Sequence, residues 1–141
     1  MEILLVEDEP AHAEIVRRNM KSSRVAHRLT HVSDGLEAMD YLQRQGDYAD
    51  PARSPRPHII LLDLRLPKID GLDVLERIKN DPDLRAIPVV VLTTSDVEAD
   101  RAKAYALHAN SYLVKPVDCD AFSELIDVFG FYWLVWNRKP D

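Results

Sequence analysis

Ile59-Ile60-Leu61-Leu62-Asp63 places four branched aliphatic side chains in a row and closes them with a carboxylate. A strand with one wet face alternates apolar and polar residues, so an unbroken run reads as a strand covered on both faces, as in a parallel sheet. The same texture recurs at Ile3-Leu4-Leu5-Val6, Val89-Val90-Val91-Leu92 and Tyr112-Leu113-Val114. Residues 28–33 alternate more and suit an edge strand. Between these runs the spacing is helical. Gly71, Val74, Leu75 and Ile78 follow the i, i+3, i+4, i+7 pattern, and Phe122, Leu125, Ile126, Phe129, Trp133 and Trp136 continue it near the C-terminus. Segments 9–20, 35–45 and 96–107 supply the other helices, with Asp34, Asp96 and Asp118 as expected N-caps. Five β units alternating with five α units predict a doubly wound α/β domain.

The chain has 141 residues, 46% hydrophobic and 30% charged, which fits one ordinary domain over 1–141. Residues 46–57 contain three prolines and no apolar period, so they predict a long irregular surface loop before the third strand. The last helix, expected over about 118–136, leaves no room for an output domain. Twenty-four acidic against 18 basic residues give a formal charge of −6, the wrong balance for a nucleic-acid-coating protein. The lone Cys119 can form neither an internal disulfide nor a four-ligand zinc site. The N-terminus lacks signal-peptide features, and the longest apolar run, residues 128–136, is under half of the ~20 a membrane-spanning helix needs. A cytoplasmic location and no membrane partner are the resulting expectations.

Ligands of an open parallel sheet bind beyond the carboxyl ends of its strands. Those ends carry Glu7-Asp8-Glu9, Asp63, Thr93-Thr94-Ser95 and Lys115-Pro116. Taken singly, each is an ordinary cap or turn residue; together they put carboxylates, hydroxyls and one ammonium on one rim. Clustered carboxylates repel and stay ionised only with a cation among them, and an all-oxygen set favours Mg²⁺. Lys115 and Thr93 could then hold an anion beside the metal. That set describes a phosphoryl acceptor with Asp63 as nucleophile.

The motifs Leu5-Val6-Glu7-Asp8-Glu9-Pro10, Leu61-Leu62-Asp63-Leu64-Arg65-Leu66-Pro67 with Asp70-Gly71, Val91-Leu92-Thr93-Thr94-Ser95 and Tyr112-Leu113-Val114-Lys115-Pro116 resemble the receiver domain of two-component response regulators. Within that family the chain is most similar to single-domain regulators that partner phytochrome-type histidine kinases. The resemblance implies a flavodoxin-like sheet of order 2-1-3-4-5 and phosphorylation of Asp63 with Mg²⁺. Asp8 would bind the metal directly, Glu7 through a water, and Arg65 through its backbone carbonyl. Thr93 and Tyr112 match the switch pair, with Tyr112 turning from an exposed to a buried rotamer; Lys115 matches the phosphate-binding lysine and Pro116 the proline after a cis peptide. Arg65 stands two residues after the acceptor where this subfamily often has Asn. Ser95 stands two after the switch threonine, beside Thr94. The Arg65 and Ser95 side chains are expected over the phosphoryl group, tuning its lifetime. Such a protein is no turnover enzyme, its chemistry being its own phosphorylation and dephosphorylation.

Two other classes compete. A phosphohydrolase of the haloacid dehalogenase type needs a second acid where Arg65 stands, and an unphosphorylated receiver-like interaction module would lack the acids, the acceptor or the lysine. No glycine-rich nucleotide loop is present. The basic residues Arg17, Arg18, Lys21, Arg24 and Arg28 read either as a solvated helix face or as a kinase-docking surface. Val128, Phe131 and Val135 form a second apolar stripe on the last helix, which predicts a homodimer through it.

Overall fold

The computed structural model describes residues 1–137 except 22, 24, 25, 96, 117 and 118, and for 131–137 the backbone alone. Five strands, β1 (Glu2–Val6), β2 (Arg28–Val32), β3 (Ile59–Leu62), β4 (Val89–Thr93) and β5 (Ser111–Val114), form one parallel sheet in the order β2-β1-β3-β4-β5. Helices α1 (Pro10–Met20), α2 (Gly35–Gln43), α3 (Gly71–Asn80), α4 (Glu98–Ala106) and α5 (Cys119–Asn137) connect and cover it.

The unbroken apolar runs have a direct cause. Successive strand residues point to opposite faces. Leu4, Val6, Ile60, Leu62, Val89 and Val91 enter one core with residues of α2, α3 and α4. Their neighbours Ile3, Leu5, Ile59, Leu61, Val90 and Leu92 enter a second core with Ala13, Val16 and Met20 of α1 and Phe122 and Ile126 of α5. Burying both sets leaves no position in Ile3–Val6, β3 or β4 for a solvated residue; only Glu2, at the start of β1, is partly exposed. At β2, the edge, only Val32 is fully buried.

Helix α2 begins as expected at Asp34, whose carboxylate accepts the Glu37 N–H at 2.7 Å while Glu37 accepts from Ser33 N–H at 2.8 Å. It stops at Gln43 rather than residue 45, because Arg44 adopts the left-handed conformation that ends helices. Helix α4 starts at Glu98, later than expected, with Val97 before it offering no side-chain cap. Asp96 and Asp118 lie outside the described residues. Segment 46–57 connects α2 to β3 with no helix or strand beyond its first turn, but it is internally bonded. It opens with a 3₁₀ turn at Gly46–Tyr48, and buried Ser54 donates its hydroxyl to the carbonyls of Tyr48 and Asp50 at 2.9 and 3.1 Å. Tyr41 donates to the Pro55 carbonyl at 2.9 Å and packs edge-on against Tyr48, so the segment is fastened to α2. Of the basic stretch, Arg18 pairs with Glu14 and Arg28 with Glu2, as a solvated face would; Arg24 lies outside the described residues. No helix of the described residues is long and apolar enough to cross a membrane.

Candidate functional site

The parallel sheet brings the carboxyl ends of β1, β3, β4 and β5 to one rim, and the chain crosses from strand to helix there. Asp63 N–H donates to the Val6 carbonyl at 3.1 Å and Lys115 N–H to the Thr93 carbonyl at 2.8 Å, so the ladder extends one residue past the strands and fixes both side chains. Behind Asp63 the backbone of α3 comes very close. A Cβ on Gly71 would lie 2.3 Å from the Asp63 carbonyl oxygen, and Gly71 N–H donates to the Leu64 carbonyl at 2.9 Å.

Glu7, Asp8 and Asp63 each offer a carboxylate oxygen, all within 4.8 Å of one another. Glu7 and Asp63 are buried and Asp8 is exposed. Lys115 closes the group from β5. Its ammonium donates to Glu7 Oε1, to Asp63 Oδ2 at 3.3 Å and to His12 Nδ1 of α1 at 3.2 Å. Three N–H donors meet three acceptors, which requires an unprotonated Nδ1 on His12. Glu7 is steadied further by the Glu9 N–H on Oε2, and its own carbonyl accepts from His31 Nε2 at 2.7 Å.

Burial raises the Glu7 carboxyl to about 7; Lys115 opposes this, while the neighbouring Asp63 charge adds to it. Burial would raise Asp63 too, but Lys115, the Thr93 hydroxyl, Glu7 and the Arg65 N–H together hold it below the usual carboxylate range. The two acids share one ammonium, and Asp63 also takes the Arg65 N–H, bonds that favour its charged, nucleophilic form. Three hard oxygen donors around a gap open at Asp8 suit a divalent cation that keeps some of its waters, so the residues fit the implied Mg²⁺.

Thr93 is buried, and its Oγ1 accepts the Ser95 N–H at 3.3 Å. The Tyr112 ring is also buried, with 6% of its surface exposed, rather than lying outside as expected. Its hydroxyl donates to the Ser95 carbonyl, and the Arg101 guanidinium carbon lies 5.1 Å from its ring centre. The Lys115-Pro116 peptide is cis. Thr94 faces away, lining a cavity of about 200 Å³ with His12, Ile15, Lys115 and Phe122.

Arg65 and Ser95 depart from expectation. Arg65 N–H bonds Asp63 Oδ1 at 3.2 Å, but the guanidinium runs outward to Asp100 Oδ2 at 2.6 Å. The Ser95 hydroxyl donates to the same oxygen at 2.6 Å. Both side chains are held by the carboxylate at the start of α4. Sequence reading missed Asp100, His12 and His31. His12 follows the acidic pair within the first turn of α1 and was the most visible of the three; Asp100 meets Arg65 across 35 residues, which no local pattern reports. On α5, Phe122 and Ile126 are buried as expected and Val128 is 67% exposed; the side chains of Phe131, Trp133, Val135 and Trp136 lie outside the described residues.

A buried anionic aspartate at a β-strand end, flanked by acids, a hydroxyl and an ammonium on a 2-1-3-4-5 parallel sheet, defines a signalling receiver. The chain belongs to the response regulator receiver domain family, whose model matches residues 3–127. In sequence it is similar to Response regulator Rcp1 of Synechocystis sp., 48% identical over 138 residues covering 98% of this chain and 92% of that protein. Among solved structures, the Mn²⁺-bound form of Rcp1 superposes with a TM-score of 0.80 at 46% identity, covering 99% of both chains. The phosphorylated cyanobacterial phytochrome response regulator RcpA does so with a TM-score of 0.80 at 41% identity, covering 99% of this chain and 98% of that one. The chain is therefore a response regulator homologous to phytochrome response regulators, and phosphorylation by a histidine kinase is what its family implies.

Proposed function

We propose that this chain, acting as one receiver domain over 1–141, takes a phosphoryl group onto Asp63 from a phytochrome-type histidine kinase and signals by changing its affinity for a partner protein. The observation that carries this reading is geometric: the ammonium of Lys115 lies 3.3 Å from Asp63 Oδ2, and Glu7, Asp8 and Asp63 each bring a carboxylate oxygen within 4.8 Å of the others. An Asp63 carboxylate oxygen attacks phosphorus, the bond from phosphorus to the kinase imidazole breaks, and that nitrogen keeps the bonding pair. Lys115 transfers its Asp63 contact to a phosphoryl oxygen, and the Thr93 hydroxyl donates to another. Asp8, Asp63, the Arg65 carbonyl and, through water, Glu7 would hold Mg²⁺, which when bound neutralises the negative charge of donor and acceptor. The similarity to Rcp1 and RcpA supports the phytochrome class of kinase, and the acidic balance supports a protein partner rather than nucleic acid. Incubation with a small phosphodonor such as acetyl phosphate and Mg²⁺ should label the wild-type chain and not Asp63→Asn; labelling of Asp63→Asn would refute the assignment.

The exposure of Val128 on α5 supports a homodimer through that helix, completed by Phe131 and Val135. Sedimentation should give a dimer for the wild type and a folded monomer for Val128→Glu combined with Val135→Glu. A wild-type monomer at micromolar concentration would end this reading.

A further inference from the structure

Three segments of the rim meet at one atom. Asp100 Oδ2, in the first turn of α4, takes the Arg65 guanidinium from the β3–α3 connection and the Ser95 hydroxyl from the β4–α4 connection, each at 2.6 Å. Asp100 is only 13% exposed whereas Arg65 is 60% exposed, so the carboxylate is the fixed member and the arginine the mobile one. Arg65 is also the residue whose backbone N–H touches the Asp63 carboxylate, which puts its side chain within reach of anything attached there. A guanidinium offers a carboxylate and a phosphoryl group the same planar donors, and an arm held at Asp100 is not free to swing onto a group on Asp63.

We propose that Asp100 is a positioning residue that withholds Arg65 from the phosphoryl group on Asp63, so that the two anions compete for one guanidinium. This rests on the reading of Asp63 as phosphoacceptor. A phosphoryl group that wins Arg65 leaves Asp100 with the Ser95 hydroxyl alone, and the start of α4 loses its tie to the β3–α3 connection. Occupancy of Asp63 and attachment of α4 are thereby linked in both directions, since each weakens the other by the same factor.

The test is a double-mutant cycle read by binding of beryllofluoride with Mg²⁺, a phosphoryl mimic that needs no donor, followed by the ¹⁹F resonance of the bound form. Asp100→Ala and Asp100→Asn should both tighten binding by about three-fold, within the range of a partly exposed ion pair. In an Arg65→Ala background neither should change it. Equal tightening with and without Arg65 would overturn the proposal, because a merely structural Asp100 acts regardless of the arginine. If the wild type binds and Asp100→Ala matches it, the Asp100 assignment falls and that of Asp63 stands. A wild-type chain that binds no beryllofluoride would overturn both.

Discussion

The Tyr112 hydroxyl donates to the Ser95 carbonyl at 2.9 Å, fastening β5 to the connection that leaves β4. Ser95 N–H in turn bonds Thr93 Oγ1, so ring, loop and the hydroxyl next to Asp63 form one chain of contacts. Tyr112→Phe removes the hydroxyl and keeps the ring under Arg101. It should cost about 1 kcal/mol, the worth of one buried hydrogen bond. Tyr112→Ala also removes the packed ring and should cost about 4 kcal/mol. Urea unfolding of the two variants separates the contributions, and equal losses would show that the hydroxyl contact carries all of them.

Lys115 is the cation to which both Glu7 and Asp63 are bonded. Lys115→Met preserves most of the stem and leaves two buried carboxylates facing each other, which should destabilise the chain by about 3 kcal/mol. A divalent cation among the same oxygens replaces the lost charge. Mg²⁺ should therefore raise the unfolding temperature of Lys115→Met more than that of the wild type, as calorimetry with and without Mg²⁺ would reveal.

Gly71 has no room for a side chain: besides the Asp63 carbonyl, an added Cβ would meet Leu64 Cα at 2.4 Å. Gly71→Ala must push α3 away from the backbone that carries the acceptor, at a cost of about 3 kcal/mol. Its labelling by acetyl phosphate should fall together with its stability. A stable, normally labelled Gly71→Ala chain would show that this close approach is not required.

His58 links the start of β3 to β1. Its ring Nδ1 accepts the Glu2 N–H at 2.8 Å, and its backbone N–H donates to the Glu2 carbonyl at 2.8 Å. Burial, aided by the N-terminal ammonium, lowers its pKa below the ordinary 6.5. The folded chain keeps the ring neutral where the unfolded chain already binds a proton. This contribution is complete above 6.5 and is lost as pH falls through the lowered folded value. Asn offers an oxygen acceptor that does not titrate, so His58→Asn should lose less stability than the wild type between neutral and mildly acidic pH. Parallel urea titrations at several pH values provide the comparison.

Features set by neighbouring residues were readable from the chain alone. The runs ending at Val6, Leu62 and Leu92 announce doubly covered strands, whereas the run ending at Val114, expected to be one too, is the second edge of the sheet with only Tyr112 buried; the topology then carries Glu7, Asp63, Thr93 and Lys115 to one rim. Asp34 announces its helix because a cap acts over three residues. Asp100 was not readable: an acid in the first turn of a helix is explained by the helix dipole, and its true partners lie on other segments. The order in 46–57 escaped for a similar reason, since it comes from Ser54 and the Tyr41–Tyr48 contact rather than from any period.

Glu7 and Lys115 are 108 residues apart, and that distance has a consequence for synthesis. Chains leave the ribosome N-terminus first. Glu7, Asp8 and Asp63 therefore emerge well before the ammonium that balances Glu7 and Asp63, and β4 emerges before β5 can cover its edge. A nascent chain halted ahead of β5 would hold mutually repelling acids beside an unpaired apolar strand. The last βα unit thus acts as a seal, supplying charge and edge together.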